Sequence, residues 1–300
     1  MKSILIAALM ALSISAYGSV KTVIIDADTA NEVDDLYAIV AALIAPELKV
    51  SALNATHWQT SHWATANSME DSHRLNQVLL GYMNMNIPSK RGGLARMFDW
   101  GDQAQHSAAA YEIIKQAHAL AEGEKLHVIA LGALTNVASA LWIDPSIEAK
   151  LKVFWLGTSY DFERGALATQ DFNAIMDIQA AHNMLKSTVE MTIIPVNVAA
   201  AMRFDFLQTE KRLNGPHPIE AFLVDRWRQH MDGSKSHRVI WDLALIYAII
   251  YPELATFESI RTSPDYGNRR ITYIRDIKAQ EMRERFFKQL ADYLERHPFK

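Results

Sequence analysis

The sequence predicts an α/β fold in which helices cover both faces of one doubly wound, mostly parallel sheet. Short β-branched or apolar runs alternate with segments whose apolar residues recur at helical spacing, a pattern typical of parallel sheets. The chain has 300 residues, half of them hydrophobic, which is enough for one sizeable core. No internal repeat, low-complexity stretch or Gly/Ser/Pro linker marks a domain boundary in the sequence. We therefore expect a single domain over residues 19–300.

The strands and helices follow from these apolar patterns in chain order. Five strands are predicted at Val20–Asp26, Lys49–Asn54, Leu126–Leu131, Lys152–Leu156 and Glu190–Val196. Eight helices are predicted near Val33–Ala45, Ala64–Tyr82, Ala108–Ala121, Thr135–Ile143, Asp177–Lys186, Ile219–Met231, Leu243–Tyr251 and Lys278–Arg296. The remaining segments are predicted to be a late strand at Arg270–Ile274 and loops at Phe204–Pro218 and Phe257–Asn268.

The composition excludes several classes of protein. The charged and apolar fractions are those of a globular chain, which rules out disorder and collagen. Thirty basic residues stand against 34 acidic ones, without a long basic run, so the chain lacks the electrostatic footprint of a nucleic-acid binder. Cysteine is absent, which excludes a disulfide framework. A small molecule is the expected partner.

The first eighteen residues have the pattern of a secretory signal. Lys2 precedes an apolar run from Ile4 to Leu12, and Ala16-Tyr17-Gly18 supplies small residues before a cleavage point. The run is much shorter than the roughly 20 residues of a transmembrane helix. We expect cleavage after residue 18 and a periplasmic or secreted mature chain that has no membrane association.

Four acidic residues crowd the end of the first predicted strand. Asp26 and Asp28 are two residues apart, so an extended backbone points both to the same face, and Asp34 and Asp35 begin the next helix. Two carboxylates about 4 Å apart repel by roughly 4 kcal/mol at an effective dielectric constant near 20. A bound cation or a shared proton must relieve that repulsion. Oxygen ligands without cysteine favour calcium or magnesium over zinc.

A plainer alternative is that these acids have no ligand. Asp34 and Asp35 would then complement the dipole of their helix, while Asp26 and Asp28 would lie in a solvated turn. Asp26 fits this alternative poorly, because it directly follows three apolar β-branched residues and such positions tend to be buried. Ligands of open α/β sheets also bind outside the carboxyl ends of strands, where these acids fall.

Several motifs in the chain resemble those of the calcium-dependent nucleoside hydrolases, a family that cleaves the N-glycosidic bond of ribonucleosides. The first is Asp26-Ala27-Asp28 followed by Asp34-Asp35, with the insertion-like Asn31-Glu32 between them. Four further motifs follow in the order in which they occur in the family. They are Ile87–Gly92, which is a weaker match, the Leu-Gly-x-Leu-Thr-Asn turn within Leu126–Val137, Asp171-Phe172-Asn173 and Trp241-Asp242. This resemblance covers most of the mature chain, indicates a divergent branch and implies a Rossmann-like core.

The resemblance also implies which residues form the site. Calcium would be bound by Asp28, Asp35, Asp242 and the backbone carbonyl of Thr135, with Asp26 as a supporting carboxylate. Asp28 would accept a proton from a calcium-polarised water that attacks the anomeric carbon. The substrate contacts implied by the resemblance are Asp34 and Asn173 at ribose hydroxyls and Asp171 near the 5′ hydroxyl, with Asn173 also stabilising the transition state. A homo-oligomer, either a dimer or a tetramer, is the expected assembly.

Trp241 departs from the family pattern, since purine-processing members carry a histidine there that helps protonate the leaving base. Tryptophan is not a general acid, so another group must act or the substrate must have an easier leaving group. We expect Trp241, Trp58 and His57 to line the substrate pocket, with a structural role as the favoured alternative for Trp58 and His57. Two other predicted site residues also have structural alternatives. Asn173 is consistent with a loop side chain bonded to its own backbone, and Asp242 with a plain helix N-cap.

Two other functions remain open at this point. An Asp-x-Asp strand end also resembles the start of haloacid dehalogenase-type phosphatases, although Ala30 stands where that family prefers Thr or Val. The other alternative is a non-catalytic exported protein that binds nucleosides or sugars, which Trp241 keeps open.

Overall fold

The computed structural model describes residues 20–299 except 101, 102, 232 and 234. The predicted signal at residues 1–18 lies outside this part of the chain. No helix among the described residues is long and apolar enough to cross a membrane.

A central sheet organises the described part of the chain. The strands are β1 (Lys21–Ala27), β2 (Leu48–Ala55), β3 (Ser89–Lys90), β4 (Leu126–Ala130), β5 (Leu151–Leu156), β6 (Ser159–Asp161), β7 (Ala166–Ala168), β8 (Glu190–Ile194), β9 (Arg203–Asp205), β10 (His237–Val239), β11 (Ala255–Arg261) and β12 (Arg270–Ile277). Eight of them form the main sheet in the order β11-β12-β8-β5-β4-β1-β2-β3. All neighbours in it are parallel except β11 and β12, which confirms the predicted, mostly parallel sheet.

Helices connect successive strands along most of the chain. They are α1 (Asp34–Ile44), α2 (Ser68–Tyr82), α3 (Ala108–Ala119), α4 (Thr135–Ile143), α5 (Phe172–Met176), α6 (Ile178–Lys186), α7 (Val196–Ala199), α8 (Phe206–Arg212), α9 (Pro218–Gln229), α10 (Trp241–Ile250) and α11 (Ala279–Arg296). Two apolar clusters, one on each face of the sheet, bury these helices. One includes Tyr37 of α1, Tyr247 of α10 and Phe286 of α11, and the other includes Ile113 of α3 and Met184 of α6. The fold is therefore a sheet wound on both faces, as predicted.

The strand order places a crevice beside β1. The chain passes from β1 to β2 on one side, whereas β4 pairs with the other side of β1. Such a reversal of winding direction opens a gap at the carboxyl ends of the strands, where ligands of open α/β sheets bind. The pairing of β1 with β4 continues one residue beyond the end of β4, where the Leu131 N–H donates to the Asp26 carbonyl over 2.8 Å.

Two predicted loops are wrong. Phe204–Pro218 contains most of β9 and all of α8, whose first turn is capped when the Asp205 carboxylate accepts the Gln208 N–H over 2.9 Å. Phe257–Asn268 begins with most of β11, an edge strand with several exposed side chains and therefore a weak apolar signal. Two predicted helices also have shifted starts, because α2 begins at Ser68 and α10 at Trp241.

Candidate active site

A cavity of about 260 Å³ lies at the carboxyl ends of β1, β4, β5 and β8. Six acidic side chains line it, namely Asp28, Glu32, Asp34, Asp35, Asp171 and Asp242. The other polar or aromatic lining residues are Asn31, Asn173, Trp241 and Phe172. The fold thus brings seven of the predicted site residues, from four separate parts of the sequence, to one cavity. They are Asp28, Asp34, Asp35, Asp171, Asn173, Trp241 and Asp242.

The turn after β1 places Asp28 on the cavity wall. The Asn31 N–H donates to the Asp28 carbonyl over 2.7 Å, which closes a tight turn directly after the strand. Asp28 is buried, with 1% of its surface exposed, so a solvated turn is wrong for this residue. Gly132 packs against the carboxylate so closely that a Cβ there would lie 2.6 Å from Asp28 Oδ1. The missing side chain of Gly132 is therefore what makes room for Asp28.

Three further acids converge beside Asp28. One carboxylate oxygen from each of Asp34, Asp35 and Asp242 lies within 4.8 Å of the others, and all three residues are buried. Asp34 and Asp35 form the first turn of α1, while Asp242 is the second residue of α10. Because Ile240 occupies the N-cap position of α10, the interpretation of Asp242 as a plain N-cap is wrong.

The buried acids of this cluster disfavour one another's charged forms. Burial, and next the neighbouring Asp34 carboxylate, raises the pKa of Asp28 well above its usual range. Burial also raises the pKa of Asp35 well above normal, with a further contribution from Asp28. The pKa of Asp242 is raised well above normal by burial and then by Asp34, with which it shares a side-chain hydrogen bond. Removing water from several carboxylates in one place is unfavourable unless a cation or protons compensate.

The donor set fits a hard divalent cation. Asp28 Oδ2, Asp35 Oδ1 and Asp242 Oδ1 are buried and accept no hydrogen bond within the described residues. Buried polar atoms are almost always paired, so three unpaired carboxylate oxygens beside one cavity indicate a missing positive partner. All the donors are oxygens, the ligand type that calcium and magnesium prefer. The group formed by Asp34, Asp35 and Asp242 is therefore one that could bind a metal.

Asn173 ties together two strand ends at the cavity. Its Nδ2 donates to the carbonyl of Leu131 over 2.6 Å and to that of Leu156 over 2.9 Å. These partners are distant in sequence, so the alternative of a loop asparagine bonded to its own backbone is wrong. Since both amide hydrogens are used, the oxygen Oδ1 is the atom that can accept a hydrogen bond from a ligand.

Asp171 is held as an acceptor at the same end of the sheet. Its Oδ2 accepts the Thr158 N–H over 2.6 Å, and its Oδ1 accepts the Ala174 N–H over 3.3 Å, which caps α5. Thr158 itself has a φ of 65°, an unfavourable value for a β-branched residue. Burial raises the pKa of Asp171 above its ordinary value, while these backbone donors oppose the rise.

The structure does not bring Thr135 or His57 to the cavity wall. Thr135 is the first residue of α4, and its hydroxyl donates to Asp177 Oδ2 over 2.7 Å. His57 Nε2 lies 2.9 Å from the same hydroxyl. Burial lowers the pKa of His57 to about 4, so the imidazole is neutral near pH 7. Leu131, not Thr135, is the member of the Leu-Gly-x-Leu-Thr-Asn turn that lines the cavity.

Asp26 and Trp58 are two further predicted site residues that do not line the main cavity. Asp26 Oδ1 accepts the Asn136 Nδ2–H over 2.9 Å, and burial raises the pKa of Asp26 to about 7. Trp58 is buried with its indole N–H on the Ser72 hydroxyl, 3.2 Å away. It faces a neighbouring groove that shares Asn31 with the main cavity. Neither side chain lines the main cavity.

Sequence reasoning missed the contribution of the insertion at Asn31 and Glu32. The carboxylate of Glu32 lines the cavity and forms an ion pair with Arg238 Nη1 at 2.9 Å. The Asn31 carbonyl accepts hydrogen bonds from Trp63 Nε1 over 3.2 Å and from His230 Nε2 over 2.7 Å. The insertion was visible in the sequence, but its partners lie far along the chain, so their proximity was not.

Comparison with known proteins agrees with this geometry. Residues 23–280 match the model of the inosine-uridine preferring nucleoside hydrolase family. The chain belongs to this family. A probable uridine nucleosidase 2 from Oryza sativa subsp. japonica is 25% identical, over 79% of this chain and 76% of that protein. A non-specific ribonucleoside hydrolase, RihC, from Salmonella paratyphi A is also 25% identical, over 77% of this chain and 80% of its own.

A solved structure shows the same fold. The plant nucleoside hydrolase PpNRh1 superposes with a TM-score of 0.69 at 17% identity, covering 91% of this chain and 99% of the plant chain. This nucleoside hydrolase is thus a divergent member with the family's fold, and the predicted fold class and enzyme class are confirmed. The phosphatase alternative is replaced by N-glycosyl hydrolysis of nucleosides.

Proposed function

We propose that this nucleoside hydrolase is an exported, calcium-dependent enzyme that cleaves the N-glycosidic bond of ribonucleosides or related N-ribosides. The observation that carries the proposal is the set of three buried, unpaired carboxylate oxygens of Asp28, Asp35 and Asp242 beside one cavity. Such a set is costly to a folded protein unless it binds a cation. Calcium is favoured because its flexible coordination suits several carboxylates and a backbone carbonyl.

Asp28, Asp35 and Asp242 would hold the ion. The backbone carbonyl of Leu131 is the fourth protein ligand we propose, in place of that of Thr135, because Leu131 lines the cavity. A carbonyl oxygen has two lone pairs, so the hydrogen bond from Asn173 leaves one for a cation. Bound calcium supplies charge that polarises a water and lowers its pKa.

Asp28 is the general base in this proposal. Its carboxylate takes a proton from the attacking water as the bond between the anomeric carbon and the base nitrogen breaks. Asp34 and the Asn173 oxygen orient the ribose hydroxyls, and Asp171 contacts the 5′ hydroxyl. Positive charge develops on the ribose ring in the transition state, where these acceptors stabilise it more strongly than they stabilise the neutral sugar.

Export and assembly are part of the proposal. The segment formed by Lys2, the apolar run and Ala16-Tyr17-Gly18 supports secretion or a periplasmic location of the mature chain. A dimer or tetramer is proposed by analogy with the family. N-terminal sequencing of exported protein and light scattering of the purified mature chain test these two points.

Product analysis tests the proposed reaction. The mature protein is incubated with inosine, uridine and p-nitrophenyl riboside, each with calcium or with a chelator, and the leaving group (nucleobase or p-nitrophenol) and reducing sugar are measured. We expect equimolar leaving group and ribose with calcium and a large loss with the chelator. Binding of nucleosides without any release of sugar would instead identify a non-catalytic binding protein, the alternative that Trp241 leaves open.

A further inference from the structure

The cavity wall offers no side chain suited to protonating a departing base. Among the described residues that line it, none is histidine, lysine, tyrosine or cysteine. Trp241 is not an acid, and the amide hydrogens of Asn173 are already donated to backbone carbonyls. Asp171 accepts backbone N–H groups at both oxygens. A neutral nucleoside releases its base as an anion unless a proton is supplied, and general acids contribute about 10²–10⁴-fold to such steps.

Carboxyl groups dominate the wall of the cavity. Six carboxyl groups line it, and the buried Arg238 pairs with one of them, that of Glu32. Even with one divalent cation bound, acids outnumber the positive charges. A wall of this kind stabilises a cation and destabilises a base that departs as an anion.

Glu32 adds to this negative wall by a built arrangement. Its carboxylate is fixed by Arg238 at 2.9 Å, and only 2% of the Arg238 side chain is exposed. The preceding residue is fixed as well, because the Asn31 carbonyl and side-chain oxygen both accept the Trp63 indole N–H, over 3.2 and 3.1 Å. His230 Nε2 donates to the same carbonyl. The insertion is therefore a rigid part of the wall, held from two distant segments of the chain.

We propose that the preferred substrates are N-ribosides whose leaving group already carries a positive charge, such as N-ribosylpyridinium ions. This inference rests on the proposed hydrolase function and names its substrate class. Water forms a bond to the anomeric carbon and gives one proton to Asp28, while the bond from that carbon to the pyridinium nitrogen breaks. The bonding electron pair goes to the nitrogen, so a neutral pyridine leaves without being protonated. The charge of the substrate is finally released as the water proton.

Three classes of substrate separate this proposal from the underlying hydrolase. Nicotinamide riboside is cationic, p-nitrophenyl riboside is neutral with a leaving group that needs no acid, and inosine and uridine are neutral and need one. With calcium-loaded wild-type protein, we expect kcat/KM for nicotinamide riboside to exceed that for inosine and uridine about 100-fold. It should also exceed that for p-nitrophenyl riboside about tenfold.

The other outcomes are decisive. If p-nitrophenyl riboside is cleaved at least as fast as nicotinamide riboside, positive charge is not recognised and the proposal is overturned while the hydrolase function stands. If inosine or uridine is cleaved fastest, a proton donor is present and the proposal is again overturned. If no riboside releases sugar, the proposed function itself fails.

A charge-removal variant then tests the role of Glu32. Glu32→Gln should lower the ratio of kcat/KM for nicotinamide riboside to that for p-nitrophenyl riboside about tenfold, because one negative charge leaves the wall. Glu122→Gln is the matched control, since the exposed Glu122 precedes the amino end of β4, whereas the cavity lies at the carboxyl ends of the strands. An unchanged ratio in a folded Glu32→Gln variant, or an equal change in the control, contradicts this role.

Discussion

A Cβ atom at Gly132 would lie 2.6 Å from Asp28 Oδ1, so these two residues, more than 100 positions apart, fit together only while residue 132 is glycine. Gly132 follows Leu131 in the turn after β4, and Asp28 follows β1, the neighbouring strand. In the Leu-Gly-x-Leu-Thr-Asn turn, the glycine therefore contributes to the site because it leaves room for the Asp28 carboxylate.

Gly132→Ala should therefore displace the Asp28 carboxylate and reduce kcat/KM about 100-fold, since a shift of about 1 Å in a catalytic group has effects of this size. Steady-state hydrolysis of p-nitrophenyl riboside measures it. Gly81→Ala is the control, because Gly81 lies in α2 and a Cβ added there would have no atom within 4 Å. Equal activity in the two variants would show that the contact does not position Asp28.

Asn173→Ala should lower both stability and activity. Two buried carbonyls, those of Leu131 and Leu156, lose their amide donor, which costs about 2 kcal/mol of the free energy of unfolding. Urea denaturation measures this loss, with the exposed Asn214→Ala as a control. Calcium should restore part of the stability, because the Leu131 carbonyl regains a partner in the ion. A variant as stable as wild type would contradict the tie between the two strands.

Buried His57 should make the protein less stable in mild acid. Its pKa is about 4 when folded and about 6.5 when unfolded, so the unfolded chain binds the proton more readily. The sign follows: stability is retained above pH 6.5 and is lost as the pH falls toward 4. Between pH 7 and pH 5 this residue should cost about 2 kcal/mol of the free energy of unfolding.

Urea denaturation of wild type and of His57→Gln at both pH values isolates the effect. The difference in the free energy of unfolding between the two proteins should shift by that amount in favour of the variant at pH 5. A constant difference would mean that His57 titrates alike in the folded and unfolded chains.

Trp241→His should raise kcat/KM for inosine about tenfold, because it returns a proton donor to a cavity whose described lining has none. The same change should leave the rate with p-nitrophenyl riboside less affected, since that leaving group needs no proton. Trp142→His, at an exposed tryptophan near the end of α4, controls for the substitution itself. No gain with inosine would show that leaving-group protonation does not limit the reaction.

Much of this architecture was predictable because local pattern and global fold agree. The apolar runs of β1, β4, β5 and β8 are buried on both faces, and such strands carry their signal in their own residues. β11 carries little of it, since it is an edge strand whose exposed side chains blur the pattern. The short helix α8 does have a local signal, namely Asp205 as an N-cap before a run ending in Lys211 and Arg212.

The residue types at the candidate site were easier to predict from the sequence than the contacts between them. The paired acids and the Asp171-Phe172-Asn173 segment are local motifs, so their positions could be read directly. Whether Thr135 or Leu131 offers its carbonyl depends on the path of one turn, which residue spacing does not determine. The pairing of Glu32 with Arg238 joins positions 206 residues apart, and no local pattern encodes such a contact.

The most direct test of the central claim is a metal titration of activity in wild type and Asp28→Asn. Both proteins are stripped with a chelator, and release of ribose from p-nitrophenyl riboside is followed as calcium is added. Activity of the wild type should rise from near zero to saturation, while Asp28→Asn should remain at least about 100-fold lower at every calcium concentration although it stays folded. Full activity in the stripped wild type, or normal turnover by a folded Asp28→Asn variant, would contradict a calcium-dependent hydrolase with Asp28 as its base.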